Sequence, residues 1–292
     1  MDSSGGFTPP PPPPPPPPGG PGGPGMPGGG GGDVLPARSL GDILSAAFEI
    51  YKDNATNLIL IVAIVVVPLQ FISHFLSGVV FAADKETIVI GTVSVTRTVT
   101  RSFGTVLLVT LIGAIITIVI SAALQAAIIR AAAQTTVGDP VDIDQSYRFG
   151  FAHFGSVLGA SILVGIVVAV GFLLLVIPGV IFLTLLAVTI PVVVIERRGV
   201  TASMSRSWNL AKGHFWHVLG TIVVAAIIAG VIGGIIGAIG GSNWFLGWIF
   251  GSIGQIIVAP FSAMVTVLLY LDLRTRSEAL TAAQLRSELA GS

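Results

Sequence analysis

Six long apolar runs divide the chain, over residues 57–81, 104–129, 155–177, 180–195, 218–240 and 248–271. Every run except the fourth reaches the ~20 residues that a helix needs to cross the hydrocarbon layer of a membrane. The fourth is shorter and follows Ile177-Pro178-Gly179, which reads as a tight turn between two spans. Before the first run the pattern changes. Leu40, Ile43, Leu44, Ala47 and Tyr51 fall on one helical face, with Asp42, Ser45, Glu49 and Lys52 opposite. Ser39 with Asp42 three residues on forms a capping-box start, so an amphipathic helix is expected there, on the membrane surface or on the bundle.

Similar amphipathic stretches precede the third and fifth runs. Phe48, Tyr147 and Trp208 sit at equivalent places, and Ala55, Phe154 and Phe215 follow each by seven residues. The pattern reads as three interfacial helices, each followed by a transmembrane hairpin. Aromatic residues favour the membrane interface in any protein, which explains part of the likeness without a repeat. Between the first two runs, residues 84–101 alternate Val with Thr or Ser around Gly91, the signature of a small β-hairpin.

Composition supports lipid as the solvent. The chain is 53% hydrophobic with a mean hydropathy of +0.93, and only 10% of its 292 residues are charged. A soluble domain carries roughly 25% charged residues to wet its surface. The expected fold is therefore all-α and integral to the membrane, with about six spans over 36–276. Residues 1–35 read as a disordered Pro/Gly-rich tail and 277–292 as a short C-terminal tail. The run Pro9–Pro18 should form polyproline II, and the glycines after it flexible coil. That tail reads as a solvated spacer, or as a docking site for a cytoplasmic partner that reads polyproline.

Charge sets the orientation. Of the 14 Lys and Arg residues, only Lys85, Arg97 and Arg101 fall outside if the N-terminus is inside. Both termini are thus expected to be cytoplasmic. The start, Met1-Asp2 and then a Pro/Gly tract, lacks the basic and apolar regions of a signal peptide, so the first span is expected to act as an uncleaved anchor. The 14 acidic residues balance the basic ones, which argues against nucleic acid as a partner. With no cysteine, disulfides and thiolate chemistry are excluded.

Candidate chemistry is sparse. His214 and His217 stand three residues apart but lack a third ligand nearby, so they read as a hydrated interfacial pair, and neither metal nor cofactor is expected. No nucleophile elbow, phosphate-cradling loop or zinc-protease helix occurs, and no enzyme activity is expected. The span cores hold no Asp, Glu, Lys or Arg. Their polar members include Gln70 and His74 in the first span and Gln255 in the sixth. Depth counting places Gln70 and Gln255 at similar levels, either as an interhelical hydrogen bond or as a small polar substrate site. Pro68, Pro191 and Pro260 interrupt spans, as static kinks or as the broken helices of transporters. Gly230, Gly233, Gly234, Gly237 and Gly241 form small-residue ladders in span five, suited first to packing within the monomer and second to a homo-oligomer face. Arg197, Arg198, Arg206 and Lys212 beside Trp208 and Trp216 make the densest basic patch. Basic heads with aromatic anchors suit anionic lipid headgroups.

Several separated stretches resemble one family. They are Leu40-Gly-Asp-Ile-Leu-Ser-Ala-Ala-Phe-Glu-Ile-Tyr51, Pro191-Val-Val-Val-Ile-Glu196, Ser205-Arg-Ser-Trp208 with Lys212-Gly-His-Phe-Trp216, and Tyr270-Leu-Asp-Leu-Arg274. In order, they resemble the membrane domain associated with glycerophosphoryl diester phosphodiesterases, over about 35–276. Pro/Gly-rich actinobacterial multi-pass proteins are similar. The resemblance implies architecture and a bacterial plasma-membrane location. The His-Arg-Gly motif of the family's separate catalytic domain does not occur here, so no catalytic residue carries over. The resulting expectation is a non-enzymatic scaffold or accessory protein engaging cytoplasmic partners or anionic lipids. The alternative is a transporter or lipid-handling protein for a small polar or amphiphilic substrate.

Overall fold

The computed structural model describes residues 34–81, 84–90, 93–99, 103–138, 140–241 and 243–290. The Pro/Gly tail expected over 1–35 lies outside them, apart from Val34 and Leu35. Met1–Gly32 and Asp33–Ser292 are separate units, and the second holds the bundle. Its helices are α1 (Leu40–Asp53), α2 (Ala55–Phe81), α3 (Phe103–Thr136), α4 (Ile143–Leu174), α5 (Val176–Leu185), α6 (Thr189–Pro191), α7 (Val200–Ala211), α8 (Phe215–Gly240), α9 (Trp244–Glu278) and α10 (Ala282–Ala290). Strands β1 (Asp84–Ile90) and β2 (Val93–Val99) pair antiparallel between α2 and α3, with Ile90 opposite Val93.

Among the described residues, six segments are long and apolar enough to cross a membrane: Ala55–Ile72, Val106–Thr136, Ile143–Leu174, Val176–Glu196, Val200–Gly240 and Phe245–Glu278. The chain is an α-helical multi-pass membrane protein. Its core lies where α9 meets α2, α3 and α8. Met264, Leu268, Leu269, Tyr270 and Leu273 of α9 are fully buried, as are Ala126, Ala127 and Ala131–Ala133 of α3. Alanine faces let the backbones approach closely where lipid offers no hydrophobic drive between helices. At ~1.5 Å per residue α9 is roughly 50 Å long, against a hydrocarbon layer of about 30 Å. The surplus turns carry Asp272, Arg274, Arg276 and Glu278 beyond the apolar zone.

Helix α1 starts as its sequence requires. The Ser39 hydroxyl accepts the Asp42 N–H at 3.2 Å, and the Asp42 carboxylate accepts the Ser39 N–H at 3.0 Å. Those hydrogen bonds hold the Asp42 carboxyl below its ordinary range. Ile43 and Ala47 are buried, on the expected apolar face. The three amphipathic segments differ in how they join their spans. Asn54 separates α1 from α2, and a 3-10 turn, Lys212–His214, separates α7 from α8. The second segment runs unbroken into α4. Phe151, Ala152 and His153 stand where the others have Lys52-Asp53-Asn54 and Lys212-Gly213-His214, so the residues that compete with a helix are missing there.

The α4–α5 connection corrects one expectation. The turn lies at Leu175, not at Pro178-Gly179. Leu175 is extended, its N–H donates to Gly171 O at 3.0 Å, and α5 resumes at once. Pro178 sits in the first turn of α5, where a missing N–H costs nothing. The two helices touch at glycines: a Cβ on Gly171 would come within 2.9 Å of Gly179 Cα. The fourth span runs from Val176 to Glu196 but is broken at Leu186–Val188 and ends in a π-helical turn, Val192–Glu196. The break is buried, and hydroxyls support the backbone around it: Thr184 donates to Val180 O within α5, Ser207 of α7 to Leu185 O at its end, and Thr189 to Leu186 O in the break itself. Irregular backbone at membrane depth survives only with such cover.

The segment after the last span is ordered against the bundle. Helix α10 folds back on the bundle with Leu285 and Leu289 buried, as is Leu280 in the link before it. Val34 bridges Thr281, the Leu35 N–H donates to Leu280 O at 2.9 Å, and Arg286 donates to Val137 O at 3.0 Å. Both ends of the described chain thus meet on one face of the bundle, the termini face.

Candidate functional site

Two carboxylates organise the termini face. Glu196 ends the π-helical turn with its side chain 6% exposed. It accepts Arg206 Nε at 3.1 and 3.2 Å, Arg198 Nε at 2.6 Å and the Tyr270 hydroxyl at 3.0 Å. Arg206 also pairs with Glu278. Arg274, one helical turn before Glu278, donates from its two terminal nitrogens to Glu288 of α10 at 2.7 and 3.0 Å, and to the Tyr270 hydroxyl at 3.1 Å. A cavity of about 430 Å³ opens beside these groups, with Arg197 and Arg198 also on its wall. Four arginines there face three glutamates. Guanidinium forks hold carboxylate or phosphate oxygens in pairs, so the arrangement is built to hold anions.

Asp272 is the second hub, and its side chain is fully buried. It accepts the Arg38 N–H at 2.6 Å, Arg276 Nε at 2.8 Å and His217 Nε2 at 3.0 Å, the imidazole acting as donor. Arg276 also donates to Arg38 O at 2.6 Å. These bonds fasten the segment before α1 to α8 and α9. Burial pushes the Arg38 guanidinium below its ordinary range, with Asp272 and Asp42 opposing that shift.

The basic patch read from the sequence is therefore largely paired internally. Arg198 and Arg206 sit on Glu196, and Lys212 donates to Asn209 at 2.8 Å. Arg197 is exposed and left-handed, with φ 52°. Trp208 is partly exposed and tilted against Phe182, whereas Trp216 is 80% exposed. The sequence reading missed Glu196 as the hub and Tyr270, Arg274, Glu278 and Glu288 as its partners. A signal existed: Tyr270, Arg274 and Glu278 recur at four-residue spacing, placing them on one helix face.

The intramembrane polar residues Gln70 and Gln255 lie on α2 and α9, which meet through Trp248. Trp248 of α9 donates to Val67 O at 3.4 Å and meets Phe71 edge-on, the ring centroids 5.3 Å apart. Gln255 follows two turns later, roughly 10 Å along α9 toward the termini face, and so away from Gln70. Gln255 is exposed and Gln70 half-buried. The His74 side chain lies outside the described residues. The His214 and His217 pair is also divided, since His217 binds Asp272. Among the described residues no group of three or more His, Asp or Glu could hold a metal ion.

The glycine ladder of span five divides as well. Gly230, Gly234 and Gly237 are exposed, and a Cβ on any of them would meet nothing within 4 Å. Gly240, by contrast, packs on Gly247 of α9, and a Cβ there would lie 2.9 Å from Gly247 Cα. A groove of about 180 Å³ lies beside the break in the fourth span. Ala187, Ala225, Ala226, Ser262 and Thr266 are on its wall.

Comparison of the chain with protein-family models, with curated proteins and with solved structures finds no match in any of the three.

Proposed function

We propose that this chain is a non-enzymatic membrane scaffold or accessory protein whose termini face is cytoplasmic and engages protein partners or anionic lipid. One observation carries the reading: the described charged hubs, Glu196 and Asp272, lie together on the termini face among arginines, beside exposed aromatic residues of the amphipathic helices. Phe48, Phe151, Trp208 and Trp216 are exposed at the level where chain and headgroups would meet. The positive-inside bias supports the orientation, and the resemblance to the phosphodiesterase-associated membrane domain supports a bacterial plasma membrane. The Pro/Gly tail supplies the partner-binding element.

The test is co-purification of the full chain, and of a chain lacking residues 1–35, from native membranes with protein and lipid mass spectrometry. The reading expects anionic lipid on both and protein partners that depend on the tail. Neutral lipid alone with unchanged partners would sink it.

A second reading, lipid handling, is favoured by the groove at the broken fourth span. Discontinuous helices line substrate sites in transporters. Filling the groove with Ala226→Trp would abolish transfer of a fluorescent phospholipid between leaflets if that reading holds. Transfer that is absent from the unaltered chain would remove it.

A further inference from the structure

We propose that the arginine pocket of the termini face is a phosphate-binding site, and that Glu288 of α10 is an internal occupant closing it. The proposal rests on the reading of this face as a contact surface for anionic groups, and names the ligand chemistry and its control.

The donors are arranged around one anion position. Arg274 is 9% exposed and aims both terminal nitrogens at the Glu288 carboxylate, at 2.7 and 3.0 Å. Bidentate pairing of this kind serves phosphate oxygens as well as carboxylate oxygens. The orientation of Arg274 does not depend on Glu288 alone. Tyr270, fully buried, takes a hydrogen bond from Arg274 at 3.1 Å and passes its own to Glu196. Glu278 accepts Arg274 Nε at 3.4 Å and also holds Arg206. Removing Glu288 therefore leaves a preorganised fork and makes the net charge of the pocket more positive by one. The adjoining cavity of about 430 Å³ has room for a phosphate and the group that carries it.

The occupant is built to leave. Glu288 sits on a nine-residue helix, joined to α9 through Ala279, Leu280 and Thr281. Isolated helices this short are marginal in water, so the position of α10 depends on its docking contacts. Those are the buried Leu285 and Leu289, the Arg286 bond to Val137 O and the bridge from Thr281 to Val34. A phosphate group that takes Arg274 exchanges one anion for another, and α10 lifts as a unit. A free phosphate and a phospholipid headgroup share this chemistry. The depth of Arg274, at the end of a helix that outruns the hydrocarbon, suits either source.

The test uses the full chain in neutral detergent, unaltered and as Glu288→Ala, Glu288→Gln and Glu288→Ala with Arg274→Lys. Calorimetric titration with dioctanoyl phosphatidic acid and with inorganic phosphate reads the binding. Removing the internal competitor should tighten phosphatidic acid at least about ten-fold, since apparent affinity scales with the open fraction. Arg274→Lys keeps the charge but loses the fork, and should reverse the gain. Equal gains with both probes identify the phosphate group alone as the ligand, whereas a gain with phosphatidic acid only identifies a headgroup. Thermal unfolding and size exclusion verify each variant, and Glu288→Gln, nearly isosteric, stands in if Glu288→Ala loosens the fold. Unchanged binding in both Glu288 variants overturns the proposal, as does a gain that survives Arg274→Lys. Anionic lipid retained from native membranes alongside unchanged Glu288 variants overturns the latch but leaves the proposed function standing. Gains in the variants without any anionic lipid or partner from native membranes keep the site and remove that function.

Discussion

Ser207 on α7 donates its hydroxyl to the carbonyl of Leu185 at 2.9 Å, capping the buried end of α5 where the fourth span breaks. Both residues are buried. Ser207→Ala leaves that carbonyl without its partner, and an unsatisfied buried polar group costs about 1–3 kcal/mol. Denaturant titration in detergent should show that loss, while the exposed Ser205→Ala should change stability little. Equal, small effects at both positions would mean the break does not need its cap.

The close approach of α4 and α5 predicts a second loss. Gly171→Ala places a methyl 2.9 Å from Gly179 Cα. Overpacking a filled contact costs about 1–3 kcal/mol. Gly230→Ala, on the open part of α8, should instead be neutral or stabilise by up to about 1 kcal/mol through helix propensity. Thermal unfolding of the two variants side by side gives the comparison, and the signs should differ or the first loss be clearly larger.

Ala279 ends α9 in the left-handed region, with φ 52°. An L-residue with a Cβ pays roughly 1–2 kcal/mol there, and glycine does not. Ala279→Gly should therefore raise the unfolding free energy, by about 1 kcal/mol after the added flexibility of the unfolded chain. No gain would indicate that the link from α9 to α10 relaxes in solution.

The Asp272 carboxylate should be among the most costly side chains to remove. It is buried and binds Arg38 N–H, Arg276 and His217. Breaking a buried charge pair by deleting one partner costs about 3–5 kcal/mol. Asp272→Ala should also free the segment before α1, which limited proteolysis near Arg38 would detect. Unaltered cleavage would show that the bridge between Val34 and Thr281 suffices to hold it.

Apolar run length and charge pattern made the spans legible, because a membrane solvent imposes one strong rule on twenty consecutive residues. Ser39 and Asp42 announced α1 equally plainly, through local chemistry alone. The fourth span was harder. Pro178 read as a breaker, yet in the first turn of a helix it is at home. The true break at Leu186–Val188 has no local marker, and the carbonyl just before it, Leu185 O, finds its hydroxyl donor on another helix, at Ser207. The ionic site was half visible. Arg197, Arg198 and Arg206 stood out as a charge run, but Glu196 looked like the end of an apolar stretch and Glu288 like part of a tail. The Glu196 pairs depend on α7 and α9 packing beside it, and the Glu288 pair on α10 folding back, tertiary events with no periodic signature. The relative depth of Gln70 and Gln255 is not legible in sequence for the same reason, as helix register is set by packing such as Trp248 on Phe71.

The orientation of the termini face underlies the proposed function, and side-specific labelling tests it most directly. The chain has no cysteine, so single cysteines can be placed at Ser205 on α7 and at Ser94 on β2 without background. In intact cells a membrane-impermeant maleimide should label Ser94→Cys, and should reach Ser205→Cys only after permeabilisation. Labelling of Ser205→Cys in intact cells, with Ser94→Cys protected, would put the arginine face outside and contradict a cytoplasmic role for it.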